Sequence, residues 1–201
     1  MKLADEAAAG AVMFVGASQF ILFVVVAESL YPGYSISDNY ISDLGVGPSA
    51  LIFNSSVFLL GLSAVISVHF LRGFISGNRA FRVFLLLCGV GAMGVGIFPE
   101  NFGFIHTLFS LLAFLFGALS AIVSFKIQKP PLSYISIILG VLSIAALMLF
   151  AISEYCIYMY QGFSLNYLGI GRGGLERIIA YPIILWAMGF GGSLIGRSKS
   201  S

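Results

Sequence analysis

Six runs of about 20 mostly apolar residues, broken by polar connections, take up most of the chain. They fall at Ala8–Ala27, Ala50–Leu71, Ala80–Phe98, Gly103–Phe125, Leu132–Ala151 and Gly174–Ile195, with the fifth able to continue to Tyr160. A hydrocarbon core about 30 Å thick needs about 20 helical residues to cross it, and a helix satisfies its own backbone there. The pattern therefore predicts an all-α polytopic membrane protein, one bundle of six transmembrane helices over residues 1–201.

The connections differ in kind. Glu28–Ser49 is the longest interruption; it holds Glu28, Asp38 and Asp43, no Lys or Arg, and the tripeptide Ile-Ser-Asp twice. Within it, Ser37 can cap a short helix over Asp38–Leu44 that stops at Gly45. A tight turn, Phe98–Phe104, joins the third and fourth segments, and a second long stretch, Ser153–Gly173, precedes the sixth. The remaining connections are short and basic, with Gly77-Asn78 and Pro130-Pro131 as turn residues.

Composition agrees with the pattern. With 59% hydrophobic and 9% charged residues and a mean hydropathy of +1.04, the chain lacks the polar surface a soluble domain of this length needs. If the six segments alternate, Lys2, Arg72, Arg79, Arg82, Lys126, Lys129, Arg197 and Lys199 share one side, eight of 10 basic residues. Glu28, Asp38, Asp43, Glu100, Glu154 and Glu176, six of 8 acids, share the other side with Arg172 and Arg177. Retention of positive loops in the cytoplasm predicts cytoplasmic N- and C-termini and acidic loops outside the plasma membrane. The N-terminal MKLADEAAAG reads as the start of a retained helix instead of a signal peptide. No basic stretch interleaved with aromatics marks a nucleic-acid surface, and Cys88 and Cys156 read as small buried hydrophobes.

One motif has a plain explanation. Gly89-Val90-Gly91-Ala92-Met93-Gly94 matches the dinucleotide fingerprint GxGxxG, but that fingerprint works at a strand-to-helix turn and this one lies inside an apolar helix. Gly89, Gly91, Gly94 and Gly96 therefore predict close helix packing, with Gly117 and Ala121 repeating the spacing on the fourth helix.

The candidate chemistry gathers on the acidic side. His106 lies about two turns from Glu100, and these two with Asp43 are candidate catalytic residues, as general acid and base or as metal ligands. In the competing reading Glu100 and Asn101 cap the fourth helix and His106 is hydrogen-bonded in the bundle. One histidine without a second nearby is a poor zinc site, so no metal is implied. Glu154 follows an apolar run and calls for a partner at the membrane boundary, Arg172 or Arg177. With Gly173 as N-cap, Glu176 falls where a carboxylate satisfies the free amides of its own helix.

Arg172 and Arg177 flank the glycine-rich start of the sixth helix, a place to receive an anionic group such as a lipid headgroup, with Asn54, Glu154 and Glu176 in support. The competing reading is internal salt bridging. The sharpest expectation is that Arg177 is tied to a carboxylate from another segment, Glu154 or an acid of the first loop, because an unpaired desolvated guanidinium costs several kcal/mol. The polar residues of this side are expected to converge in one cavity.

Three blocks stand in order along the chain. Ile41–Gly45 is followed by Asn54-Ser55-Ser56 and Phe58–Gly61; Phe98-Pro99-Glu100-Asn101 by His106-Thr107; and Gly174–Arg177 by Tyr181-Pro182 and Trp186. This order resembles the domain-of-unknown-function 998 family of prokaryotic and archaeal hypothetical membrane proteins and, more distantly, the Frag1/DRAM/Sfk1-type membrane proteins. The resemblance implies a six-helix fold and an outer polar cluster at Asp43, Asn54, Glu100, His106, Glu176 and Arg177, and it implies no activity and no cofactor. The expected protein is thus an integral membrane protein with an outward-facing polar cavity for a lipid headgroup or other anion, with membrane lipids and no nucleic acid as partners. A membrane-embedded hydrolase or transferase acting on a lipid, and a small transporter, are the alternatives.

Overall fold

The computed structural model describes residues 2–73, 77–159 and 170–197. Six helices follow one another: α1 (Lys2–Leu30), α2 (Ala50–Phe70), α3 (Arg79–Ile97), α4 (Phe104–Val123), α5 (Leu132–Met159) and α6 (Arg172–Arg197). Each is long and apolar enough to cross a membrane, so the chain is an all-α, multi-pass membrane protein.

Two helices outrun the apolar segments. α1 takes in the polar start Lys2–Ala7, where alanine-rich sequence favours helix and Asp5 complements the N-terminal dipole. α5 continues past Ala151 to Met159, so the first part of the stretch expected to be an outer connection, Ser153–Gly173, is helical. Residues 160–169 of that stretch, residues 74–76 of the connection before α3, and Lys199 lie outside the described residues.

The helices form a ring. α1 packs against α2 and α6, and successive helices pack in turn from α2 to α6. α4 also touches α6, which closes a ring of α1, α2, α3, α4 and α6 and leaves α5 on its outside. Burial reflects that placement: 44% of the most apolar window of α6 is buried, against 22% for α5.

Glycines set the approach of neighbours. A Cβ at Gly61 would stand 2.4 Å from the Gly89 carbonyl oxygen, and one at Gly91 would stand 2.4 Å from the Ala113 nitrogen. The GxGxxG stretch is therefore a packing surface for α2 and α4. Small residues serve here because lipid offers no hydrophobic drive for helices to associate, and close van der Waals contact must supply it.

One end of the ring carries the basic connections and is closed by aromatics. Phe81 of α3 meets Trp186 and Phe190 of α6 at ring separations of 6.3 and 5.4 Å. Trp186 Nε1–H donates to Ser124 Oγ at 2.9 Å, so the indole is satisfied while its rings fill the floor. The other, acidic end is covered by the α1–α2 loop.

Candidate functional site

The α1–α2 loop is shaped by its own polar side chains. Ser35 N–H donates to Asn39 Oδ1 at 3.0 Å and Ser35 Oγ donates to Asp38 Oδ2 at 2.7 Å, closing a turn after Gly33, whose φ of 73° suits glycine. Asp43 Oδ2 then accepts from Asn39 Nδ2 and from Tyr40 N–H, both at 2.9 Å. These local bonds compete with helix formation. Consequently only a 3₁₀ helix, Ser42–Gly45, forms where a longer helix over Asp38–Leu44 was expected, and Ser37 does not cap it.

Ser37 has another role, and it explains the glycines at the start of α6. The Ser37 carbonyl accepts from Gly173 N–H at 2.9 Å and from Gly174 N–H at 3.3 Å. A Cβ at Gly173 would stand 1.9 Å from the Asn39 carbonyl oxygen, and one at Gly171 would stand 2.3 Å from that of Ser37. The loop backbone thus lies directly on the N-terminus of α6 and takes two of the amides that were expected to face an anion.

Arg177 fastens the same junction. Its Nη2 forms an ion pair with Glu28 Oε1 at 2.6 Å and donates to the Tyr34 hydroxyl at 2.7 Å. Its Nη1 donates to the carbonyls of Ile36, Asn39 and Gly173 at 2.9, 3.3 and 3.0 Å. The expected tie to a carboxylate of another segment is present, and the acid is Glu28 at the end of α1. Both terminal nitrogens are thereby committed within the protein, on a side chain only 7% exposed. Burial pushes the Tyr34 phenol up to about 12, with the neighbouring guanidinium acting against it.

Glu154, expected to meet an arginine, instead accepts from the Tyr40 hydroxyl at 2.6 Å. Arg172 lies 5.4 Å from the centroid of the same Tyr40 ring, so the phenol stands between acid and base, with its edge on Phe150. Burial, and then the bond to Glu154, raise the Tyr40 pKa. The correction follows from Tyr40, which lies against Phe150 of α5, donates its hydroxyl to Glu154 and presents its ring to Arg172.

Glu176 does not cap its own helix. Its Oε2 accepts from Ile41 N–H at 2.5 Å, and the carboxylate also takes the Ser42 amide, so it caps the 3₁₀ helix of the loop. That is the geometry of an acid at a helix N-terminus, transferred to another segment because the Ser37 carbonyl already occupies the amides of α6. Asn54 Nδ2 holds the far end of the 3₁₀ helix, donating to the Gly45 carbonyl at 2.9 Å.

Glu100 and His106 part ways. The Glu100 carboxyl hydrogen-bonds Asp43 and the Ser42 hydroxyl, and burial together with the Asp43 charge pushes it up to about 8. A buried carboxyl beside another acid is harder to ionise, so Glu100 keeps its proton more readily than a free carboxyl. His106 turns inward; Nδ1 lies 2.9 Å from the Phe98 carbonyl and Nε2 lies 3.2 Å from Ser110 Oγ. The expected acid–base pair of Glu100 and His106 is therefore replaced by two separate pairs. Among the described residues no three His, Cys, Asp or Glu side chains converge to hold a metal ion.

Beneath this junction the ring borders a partly open cavity of about 110 Å³. Its roof is Ile41, Ser42, His106, Ser110 and Glu176; its walls include Val57, Leu60, Ala92 and Ile184; Met13, Leu85 and Trp186 line its lower part. The acidic-side residues thus pair off in separate groups at the junction and do not gather in one polar cavity as expected. The space they cover is apolar, not the polar cavity the sequence suggested.

Tyr34, Tyr40, Ser42 and Ser110 belong to the site and were not singled out from the sequence. Ser110 had a signal, since it stands four residues after His106 on one helix face. The tyrosines and Ser42 had none beyond membership of the acidic loop.

No curated protein and no solved structure matches the chain. A family model does, over residues 14–192, a span that includes the loop, the α2–α4 glycine contacts, all of the chamber lining but Met13, and the whole Arg177 junction. The resemblance to the 998 family read from the three ordered blocks is thereby borne out, while the match shows no relation to the Frag1/DRAM/Sfk1-type proteins, and the chain belongs to the family described as "Protein of unknown function (DUF998)".

Proposed function

We propose that this protein holds the apolar part of a lipid-like guest in its central chamber, with the guest's polar end at the roof beneath the α1–α2 loop. The carrying observation is the chamber itself: about 110 Å³ of apolar space inside a ring of helices, with polar lining groups gathered at one end. A hydrocarbon chain buries apolar surface favourably against such walls, whereas water finds few partners on them. Ser63, lower in the chamber, is no exception, because its hydroxyl is committed to the Leu60 carbonyl at 2.7 Å.

In this reading the basic end faces the cytoplasm with both termini, and the roof opens to the outer face of the plasma membrane, on the strength of the charge asymmetry. A cysteine placed at exposed Asp38 should react with an impermeant maleimide on intact cells. Labelling only after lysis would reverse the orientation. Native mass spectrometry of protein released from membranes should show a retained lipid-sized adduct, lost in the chamber-filling variant Ala92→Leu. Adduct-free wild-type protein would sink the binding function.

A second reading has one specific observation behind it. Ser110 Oγ faces His106 Nε2 at 3.2 Å while Nδ1 is oriented by the Phe98 carbonyl, the arrangement of a hydroxyl nucleophile and its base. A lipid hydrolase or transferase of this kind should label at Ser110 with a fluorophosphonate; an unlabelled Ser110 in folded protein removes the reading.

A further inference from the structure

We propose that the head of the chamber's guest is a hydrogen-bond donor without negative charge, a hydroxyl or a protonated amine, and not a phosphate or carboxylate. The inference rests on the chamber reading and follows from what the roof has left to offer. Its donors are already used. The Ile41 amide is taken by Glu176, and the Ser42 amide and hydroxyl lie against the Glu176 and Glu100 carboxyls.

His106 completes the count. The Phe98 carbonyl can only accept, so Nδ1 carries the proton, and in the neutral ring Nε2 is an acceptor. Ser110 then donates its hydroxyl hydrogen to Nε2. What remains toward the chamber is the carboxylate of Glu176 and the lone pairs of Ser42 and Ser110, all acceptors.

Charge points the same way. Glu176 is the ionisable acid among the described residues that line the roof, with Asp43 and Glu100 behind it in the loop junction. Of the two arginines at this end, Arg177 has both terminal nitrogens committed to Glu28, Tyr34 and three carbonyls. Arg172 is exposed and stacks on Tyr40, and neither arginine lines the chamber. An anionic head would be desolvated beside the Glu176 carboxylate with no uncommitted donor among the described lining residues, which is the costly arrangement for a buried charge. This departs from the anionic headgroup expected from Arg172 and Arg177.

The protein carries its own reporter, because Trp186 is its single tryptophan, lines the chamber and is 2% exposed. Protein in phosphatidylcholine nanodiscs is titrated with four chain-brominated amphiphiles of equal length: an alcohol, a primary amine, a carboxylate and an alkyl phosphate. The pH is chosen so that the amine is protonated and both acids are ionised. The alcohol and the amine should quench Trp186 at concentrations at least about tenfold lower than the two anions, a ratio worth about 1.4 kcal/mol. Ala92→Leu should abolish quenching by all four, showing that it arises in the chamber. Equal quenching by all four, or stronger quenching by an anion, overturns the inference on the head and leaves the chamber reading intact. Quenching by none overturns the chamber reading and this inference with it.

Discussion

The loop junction at the acidic end and the chamber directly below it are made from opposite materials. Around Arg177 the contacts are directional: one ion pair, a phenol and three carbonyls meet two nitrogens, and Gly173 is cut to fit the Asn39 carbonyl. Around Ala92 and Val57 the contacts are non-directional, and the walls leave about 110 Å³ unfilled. A hydrogen-bonded junction loses much when one partner goes, because the others stay buried and unpaired. An apolar wall bordering a void has room to give. The two regions should therefore answer mutation differently, although they lie against each other on the same helices.

The largest effect expected is at Arg177. Arg177→Ala strands Glu28, two loop carbonyls and the Gly173 carbonyl of α6, and loss of one partner of a buried pair costs about 3–5 kcal/mol. Arg177→Lys should restore only part, since an ammonium lacks the planar fork. Thermal unfolding in detergent reads both variants; an Arg177→Ala protein that melts with wild type would show that something else holds the loop.

Next comes a pair of substitutions within α6. Gly173→Ala drives a Cβ into the Asn39 carbonyl and should cost about 1–3 kcal/mol, as overpacking does. Gly192→Ala on the same helix meets nothing within 4 Å and should be neutral or gain up to about 1 kcal/mol from helix propensity. Equal melting of the two variants would erase the distinction between junction and helix body.

The third test is pH. Glu100 is raised from 4.5 to about 8, so the folded protein keeps a proton that the unfolded chain gives up. Its contribution to stability is therefore present below about pH 4.5 and is lost as pH climbs through about 8. The melting temperature should fall across that window, and Glu100→Gln should flatten the fall. A slope unchanged in Glu100→Gln would place the titration elsewhere.

The smallest effect should be in the chamber. Ala92→Leu adds its volume to empty space, so stability should stay within about 1 kcal/mol of wild type, in either direction. A loss as large as that of Arg177→Ala would mean that the wall is packed as tightly as the junction.

Some of the site was legible in advance, and for physical reasons. Desolvated charge needs a partner wherever it sits, so the tie at Arg177 could be foreseen without coordinates. Its partner could be narrowed only to Glu154 or a first-loop acid, because the choice depends on where α1 ends and how the loop folds back. Glu176 shows the limit more sharply. Its position near a helix start suggests a local cap, yet the Ser37 carbonyl reached those amides first and left the carboxylate free for Ile41. Likewise the spacing of Glu100 and His106 suggested a pair, but Gly103, with its φ of 58°, turns the chain between them and sends one toward Asp43 and the other toward Ser110.

Hydropathy and charge are sums over neighbouring residues, so the sequence by itself determined the six spans, the division into an acidic and a basic end, and the glycine faces on α3. The chamber has no such signature. It arises because α4 reaches α6 and excludes α5 from the ring, while α2 and α3, drawn together at Gly61 and Gly89, stand across from α6. That arrangement depends on how each helix is rotated about its own axis against neighbours distant in sequence. The docking of the loop on Gly173 and Arg177, which holds the start of α6 against the α1–α2 loop, is likewise a tertiary event.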